Sequence, residues 1–168
     1  ERISPHIHRT PVFTSSLLDE LTGTSVFFKC ENLQKTGAFK ARGATNAVLS
    51  LSAAEAARGV ATHSSGNHGA ALAMAAAKRG IAATIVMPSN APAVKQAAVV
   101  AYGAQIVECE PTLAAREAAL ELVVKKTGAH VVHPYDDSRI IAGQGTAALE
   151  LLEQVPDLKT VVVPVGGG

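Results

Sequence analysis

Short β-branched runs alternate along this chain with alanine-rich stretches of helical period, and that rhythm restricts the fold more than any other feature. The runs Val26–Cys30, Val60–His63, Ala82–Met87, Gln105–Cys109, His130–Val132 and Lys159–Val165 read as strands. Residues 14–22, 40–51, 67–79, 92–101, 112–127 and 138–153 read as helices. Gly80, Gly103 and Gly128 follow three of these as stop signals, Asn67 and Thr112 suit N-caps, and Pro92 suits a first helical turn. Glu121 and Lys125 form an i,i+4 pair, and the amphipathic stretch Leu113–Val124 reads as a core-facing helix. Strand–helix alternation of this kind predicts an α/β fold with parallel sheets covered by helices on both faces. Val161-Val162-Val163-Pro164-Val165 is apolar on both pleat faces, as a central parallel strand would be, with Pro164 marking its end.

Composition narrows the functional classes. With 48% hydrophobic and 17% charged residues, the 168-residue chain reads as globular, with room for one core or parts of two domains. A net charge of +1 gives no electrostatic case for nucleic acid, and Arg2, His6, His8 and Arg9 read as a solvated arm. No apolar run reaches membrane-spanning length, and nothing resembles a signal peptide. The two cysteines, Cys30 and Cys109, lie in or beside apolar runs and are expected as buried free thiols in a reducing cytoplasm. No His/Cys/Asp/Glu grouping has metal-ligand spacing, so no metal site is expected.

Three segments carry chemistry. In Lys35-Thr36-Gly37-Ala38-Phe39-Lys40-Ala41-Arg42-Gly43-Ala44, a lysine stands between an aromatic ring and a small-residue helical run. A lysine desolvated against an apolar wall loses part of its preference for the ammonium form and can attack an aldehyde. Read alone, Lys40 is a surface lysine in a first helical turn, and Phe39 a core aromatic. Ser64-Ser65-Gly66-Asn67-His68-Gly69 follows a strand and opens a helix, where free backbone N–H groups suit an anion and glycine permits close approach. The same segment also reads as an N-cap and a tight turn without a ligand, and His68 reads as structural. Gly166-Gly167-Gly168 lacks dinucleotide and Walker spacing; successive glycine amides form an anion-cradling nest or a plain flexible terminus.

In order and spacing these segments resemble the fold-type II pyridoxal-phosphate enzymes, the tryptophan synthase β-like fold, and within them the serine racemase and serine/threonine dehydratase branch. The resemblance runs from Thr10-Pro11 to the terminal glycines. It implies two domains: residues 1–57 and 137–168 in a large domain, and 58–136 in a small one. Chains of the family are about twice as long, so this sequence reads as an N-terminal portion. The resemblance implies that Lys40 holds pyridoxal 5'-phosphate covalently, Phe39 packs on the cofactor ring, and Asn67 bonds its ring hydroxyl. Gly166, Gly167 and Gly168 would wrap the phosphate. Ser64, Ser65, Gly66, Asn67 and His68 would hold the substrate's carboxylate.

Ser65 stands where typical threonine dehydratases carry alanine and where serine racemases, and some hydroxyaspartate-type enzymes, carry serine; the alternative is a hydrogen-bonding loop residue, as in dehydratases without racemase activity. Racemisation needs proton-transfer groups on both faces of a planar carbanion, with Lys40 on one and Ser65 on the other; elimination needs one base. The resemblance therefore implies a serine racemase or serine/threonine ammonia-lyase acting on small β-hydroxy amino acids, in a homodimer. A strict threonine dehydratase, a hydroxyaspartate dehydratase and a catalytically silent cofactor-binding or interaction domain are the alternatives. Tyr135, in His133-Pro134-Tyr135 on the substrate side, stands where racemases often carry asparagine, which leaves substrate preference open. Ala142-Gly143-Gln144-Gly145-Thr146 reads as a structural helix start. Tyr102-Gly103 reads as a helix end, with the matching tyrosine near a regulatory nucleotide in some racemases. The family's divalent-cation (Mg/Mn) carboxylates fall beyond residue 168.

Overall fold

The fold is built on a parallel sheet whose strands run close to where the sequence places them. The computed structural model describes residues 1–166. In chain order the elements are β1 Val12–Thr14, α1 Ser16–Thr22, β2 Phe27–Lys29, α2 Lys40–Leu49, α3 Ala53–Ala57, β3 Val60–His63 and α4 Asn67–Arg79. They continue with β4 Ala83–Pro88, α5 Ala93–Ala101, β5 Gln105–Cys109, α6 Leu113–Thr127, β6 His130–Val131 and α7 Ser138–Gln154. Four parallel strands pair in the order β5-β4-β3-β6, and β1 and β2 form a separate antiparallel pair.

The two central strands, β3 and β4, are buried on both faces and accordingly mostly apolar, whereas the outer strands β5 and β6 are half-buried or exposed and carry Gln105, Glu108 and His130. On one face Val60, Ile85 and Met87 join Leu72, Ala73 and Ala76 of α4 and Ala44, Ala47 and Val48 of α2 in the main core. On the other, Ala61 and Val86 meet Leu120 and Val123 of α6. The expected core-facing role of that helix is therefore correct. Alanine is what lets α2 lie close on α4.

The stop signals act as expected. Gly80 and Gly128 cap α4 and α6 in the left-handed region, at φ 69° and 70°. Gly103 adopts φ 77° one residue past the Tyr102 cap of α5. Thr112 caps α6 by accepting from the Ala115 N–H. The Lys125 ammonium lies 2.7 Å from Glu121 on the exposed face and holds that carboxyl below its usual range. Pro92 occupies the N-cap of α5 rather than its first turn.

Several expectations need correction. The run 159–165 forms no strand: no partner strand reaches it among the described residues, and Val161, Val162, Val163 and Val165 are exposed. The helix expected from residue 14 begins at Ser16, because Val12–Thr14 pairs with Phe27–Lys29. Asn67 is not the N-cap of α4; Gly66 holds that position and Asn67 opens the helix. Cys30 and Cys109 are free but half-buried, not buried. Ala142–Thr146 lies inside α7, past its first residues, rather than at its start. Among the described residues, no helix is long and apolar enough to cross a membrane.

Candidate active site

The strand order places the site. β3, β4 and β5 step outward in one direction and β6 lies on the other side of β3, so the order reverses between β3 and β6. Crevices at the carboxyl ends of strands at such a reversal are where open parallel sheets take ligands. The segment leaving β3 is Ser64-Ser65-Gly66-Asn67-His68, and the segment leaving β6 is Val132-His133-Pro134-Tyr135.

Lys40, the first residue of α2, reaches this reversal from a third element. Its ammonium donates a 2.7 Å hydrogen bond to the Pro134 carbonyl and sits 5.1 Å from the centre of the Phe39 ring. Burial lowers the Lys40 pKa from its ordinary value. Phe39, Lys40, Pro134, Tyr135, Ile140 and Gln144 line a cleft of about 520 Å³, with Val163–Val165 forming another part of its wall. Gly166 directly follows that wall, is exposed, and has open space around its α-carbon. Gly167 and Gly168 lie outside the described residues.

The loop after β3 is shaped by its first serine. Ser64 Oγ accepts from the N–H groups of Gly66 and Gly69, at 3.2 and 3.1 Å, and folds the chain into α4. Ser65 and Gly66 are half-buried beyond it, and a Cβ at Gly66 would meet nothing within 4 Å, so the backbone there is open to a ligand. Asn67 is exposed, and its side-chain oxygen accepts from the ammonium of Lys95 in α5, a residue that nothing in the sequence singles out. The loop does not line the Lys40 cleft itself.

His68 joins the two. It is 3% exposed, with Nε2 3.1 Å from the Val132 carbonyl. A carbonyl only accepts, so the proton is on Nε2, and the buried Nδ1 has no partner among the described residues. Burial, then the nearby charge of Lys40, push its pKa down to about 4 against the help of the Val132 bond, so the ring is neutral at neutral pH. The Ser65 loop and Lys40 are thus both tied to the stretch Val132–Pro134, one by His68 and the other by its own ammonium. On the α6 side of the same strand ends, His63 and His133 face Glu117 and Glu121 across a cavity of about 370 Å³. Burial lowers the His63 pKa, and Glu117 partly opposes this. His133 Nδ1 accepts the Asp136 N–H at 2.8 Å, and its ring meets Tyr135 edge-on, so it shapes the turn after β6.

The first turn of α2 is held from below. Arg42 is fully buried and bridges Glu31 and Glu150 at 2.8 Å each, and Lys29 also reaches Glu150 at 2.8 Å. Burial works against the Glu150 charge, but the Arg42 and Lys29 hydrogen bonds outweigh it and hold that carboxyl down at about 2. Burial likewise opposes the Arg42 charge, and bonds to Glu150 and Glu31 raise its pKa nonetheless.

The residues present suit the ring end of pyridoxal phosphate: a partly desolvated amine in an apolar cleft, an aromatic wall and an open glycine loop nearby. Among the described residues no His/Cys/Asp/Glu cluster could hold a metal ion.

Comparison with known proteins agrees with this geometry. The family described as "Pyridoxal-phosphate dependent enzyme" matches residues 3–168. A protein of Paracoccus denitrificans named beta-hydroxyaspartate dehydratase is 58% identical over 100% of this chain and 53% of its own length. A serine racemase of Arabidopsis thaliana is 56% identical over 100% of this chain and 51% of its own. The solved structure of maize serine racemase superposes with a TM-score of 0.98 at 50% identity, covering 99% of this chain and 51% of that one. The chain spans about half the length of the curated relatives it matches. With Lys40 and the Ser65 loop each tied to the stretch Val132–Pro134 at the β3–β6 reversal of a parallel sheet, and the family model matching residues 3–168, this chain belongs to the pyridoxal-phosphate dependent enzyme family.

Proposed function

We propose that the full-length protein interconverts the enantiomers of serine, and dehydrates serine or threonine, by moving the α-proton of a small β-hydroxy amino acid. The observation that carries this reading is the Lys40 amine, partly desolvated and fixed on the Pro134 carbonyl, with the Ser65 loop tied to the same stretch through His68. Pyridoxal phosphate, when bound, supplies an electron sink for charge developing at the substrate's α-carbon.

The chain's own residues do the rest. Lowering the Lys40 pKa enlarges its neutral fraction, and only the neutral amine can accept a proton at Nζ. Pro134 O orients that amine. The N–H groups of Ser65 and Asn67, at the start of α4, receive the substrate's carboxylate. Ser65 Oγ serves as proton donor on the opposite face: return of a proton there gives the other enantiomer, and departure of the β-hydroxyl gives dehydration. Asn67 would turn from Lys95 toward the cofactor's ring hydroxyl. The family's glycine run, of which Gly166, Gly167 and Gly168 are part, would hold its phosphate.

A dehydratase for hydroxyaspartate is the second reading, favoured by the name of the Paracoccus relative. The homodimer, the divalent cation beyond residue 168, the cytoplasmic location and the division into domains 1–57, 58–136 and 137–168 belong to the same proposal. Free Cys30 and Cys109 support the reducing compartment.

The test is Lys40→Ala in the full-length protein. Loss of both the visible absorbance of lysine-bound cofactor and all turnover, with an unchanged far-ultraviolet spectrum, is the expected result. Retention of absorbance and turnover overturns it.

A further inference from the structure

Helix α2 is set against α7 by a side-chain amide. Gln144 Oε1 accepts a 3.0 Å hydrogen bond from the N–H of Gly43. Gly43 lies three residues after Lys40, on the same face of α2 and about one turn on. A Cβ at position 43 would fall 2.5 Å from Gln144 Nε2 and 2.7 Å from its Cδ, so the amide occupies the space a side chain would take there. Gly143 makes the reciprocal contact: its Cβ would fall 2.5 Å from the α-carbon of Gly43.

The orientation of the amide is settled by the Gly43 N–H, which needs an acceptor. That leaves Nε2 buried and without a partner among the described residues. An unmade hydrogen bond of this kind is unfavourable, and a methionine would fill similar space without it. Holding the Gly43 N–H is what the amide achieves and an apolar side chain cannot. Gln144 also lines the Lys40 cleft.

We propose that Gln144 is a positioning residue for Lys40: by gripping Gly43 it fixes the first turn of α2 and so the place of the Lys40 amine against Pro134. The importance of this for turnover rests on the reading of Lys40 given above, but the positioning itself is measurable without cofactor.

The experiment uses full-length, cofactor-free protein and three sequences: wild type, Gln144→Met, which lacks the acceptor, and Gln144→Glu, which keeps one. The rate of Lys40 acylation by a small reagent is followed by peptide mapping at fixed pH, with Lys125 as internal control. Hydrogen exchange is followed at the Gly43 amide. The expected result for Gln144→Met is a change of about threefold or more in Lys40 labelling with Lys125 unchanged, and about tenfold faster exchange at Gly43. Gln144→Glu is expected to restore the Gly43 protection. Unchanged Lys40 labelling in Gln144→Met overturns the inference, as does wild-type exchange at Gly43. Should Gln144→Met fail to fold, Gln144→Asn, one methylene too short to reach Gly43, gives the same readings. A Lys40→Ala protein that keeps full turnover instead overturns the proposed function and leaves the labelling result standing.

Discussion

In the proposed mechanism, Ser65 separates two activities that share one base. Ser65→Ala leaves Lys40 and Pro134 in place, so dehydration of L-serine is expected to persist while D-serine formation falls by roughly 10²–10⁴-fold, the usual worth of a positioned proton donor. Chiral amino-acid analysis beside 2-oxo acid release checks this; an equal fall in both would reduce Ser65 to a loop-shaping residue. His68 gives a second prediction. Its folded pKa, about 4, lies below its ordinary 6.5, so between these values the unfolded chain binds more protons and stability falls as pH falls. The loss should reach about 3 kcal/mol at the acid end, and His68→Gln should remove that slope in denaturant titrations from pH 7 to 4. The catalytic candidates were legible in the sequence only because three segments, in order and spacing, resemble a known family; alone, a lysine beside an aromatic and a serine in a glycine turn read as ordinary structure. Pro134 and Lys95 were not. One acts through a backbone carbonyl, which every residue has, and the other meets Asn67 only after α4 and α5 pack.

The crossing of α2 and α7 combines a charged cluster with a glycine contact, and both are testable. Arg42→Met leaves Glu31 and Glu150 without their shared buried partner and should cost about 3–5 kcal/mol, read from urea midpoints. Gly43→Ala would press a methyl group into the Gln144 amide and the Ile140 carbonyl, and should lower the melting temperature while leaving the helix content of the remainder intact. Elements with a strong period were legible within a residue or two, as β3, α4 and β5 show. Short ones were not. β1 has three residues and exists because β2 pairs with it across the chain. α3 did carry a signal: Ser52 and Glu55 form a reciprocal capping box, three residues apart in the sequence as such boxes require. The run 159–165 erred the other way, because apolarity describes what a strand would be made of and says nothing about whether a neighbour is there to pair with it.

At the scale of the molecule, substrate bound to the Ser65 loop should draw α4 and its sheet toward the flank carrying Lys40. Small-angle scattering of the full-length protein with and without a serine analogue should register a smaller radius in the bound form, and identical curves would argue against closure. On the proposed division into domains, such a motion would run along the contact of α2 with α4, since α2 and α7 are keyed together at Gly43 and Gly143. The two contacts differ in texture. A keyed surface resists sideways displacement because backbone would have to climb over backbone. Where Ala44 and Ala47 approach the alanines of α4, the relief is only methyl-deep, and a small shift exchanges one methyl neighbour for another at little cost. Under the proposed closure, alanine abundance, which in composition is only a helix-forming bias, would make the near side of α2 a bearing, with the grip of Arg79 on the Val48 and Leu51 carbonyls as the contact that has to give.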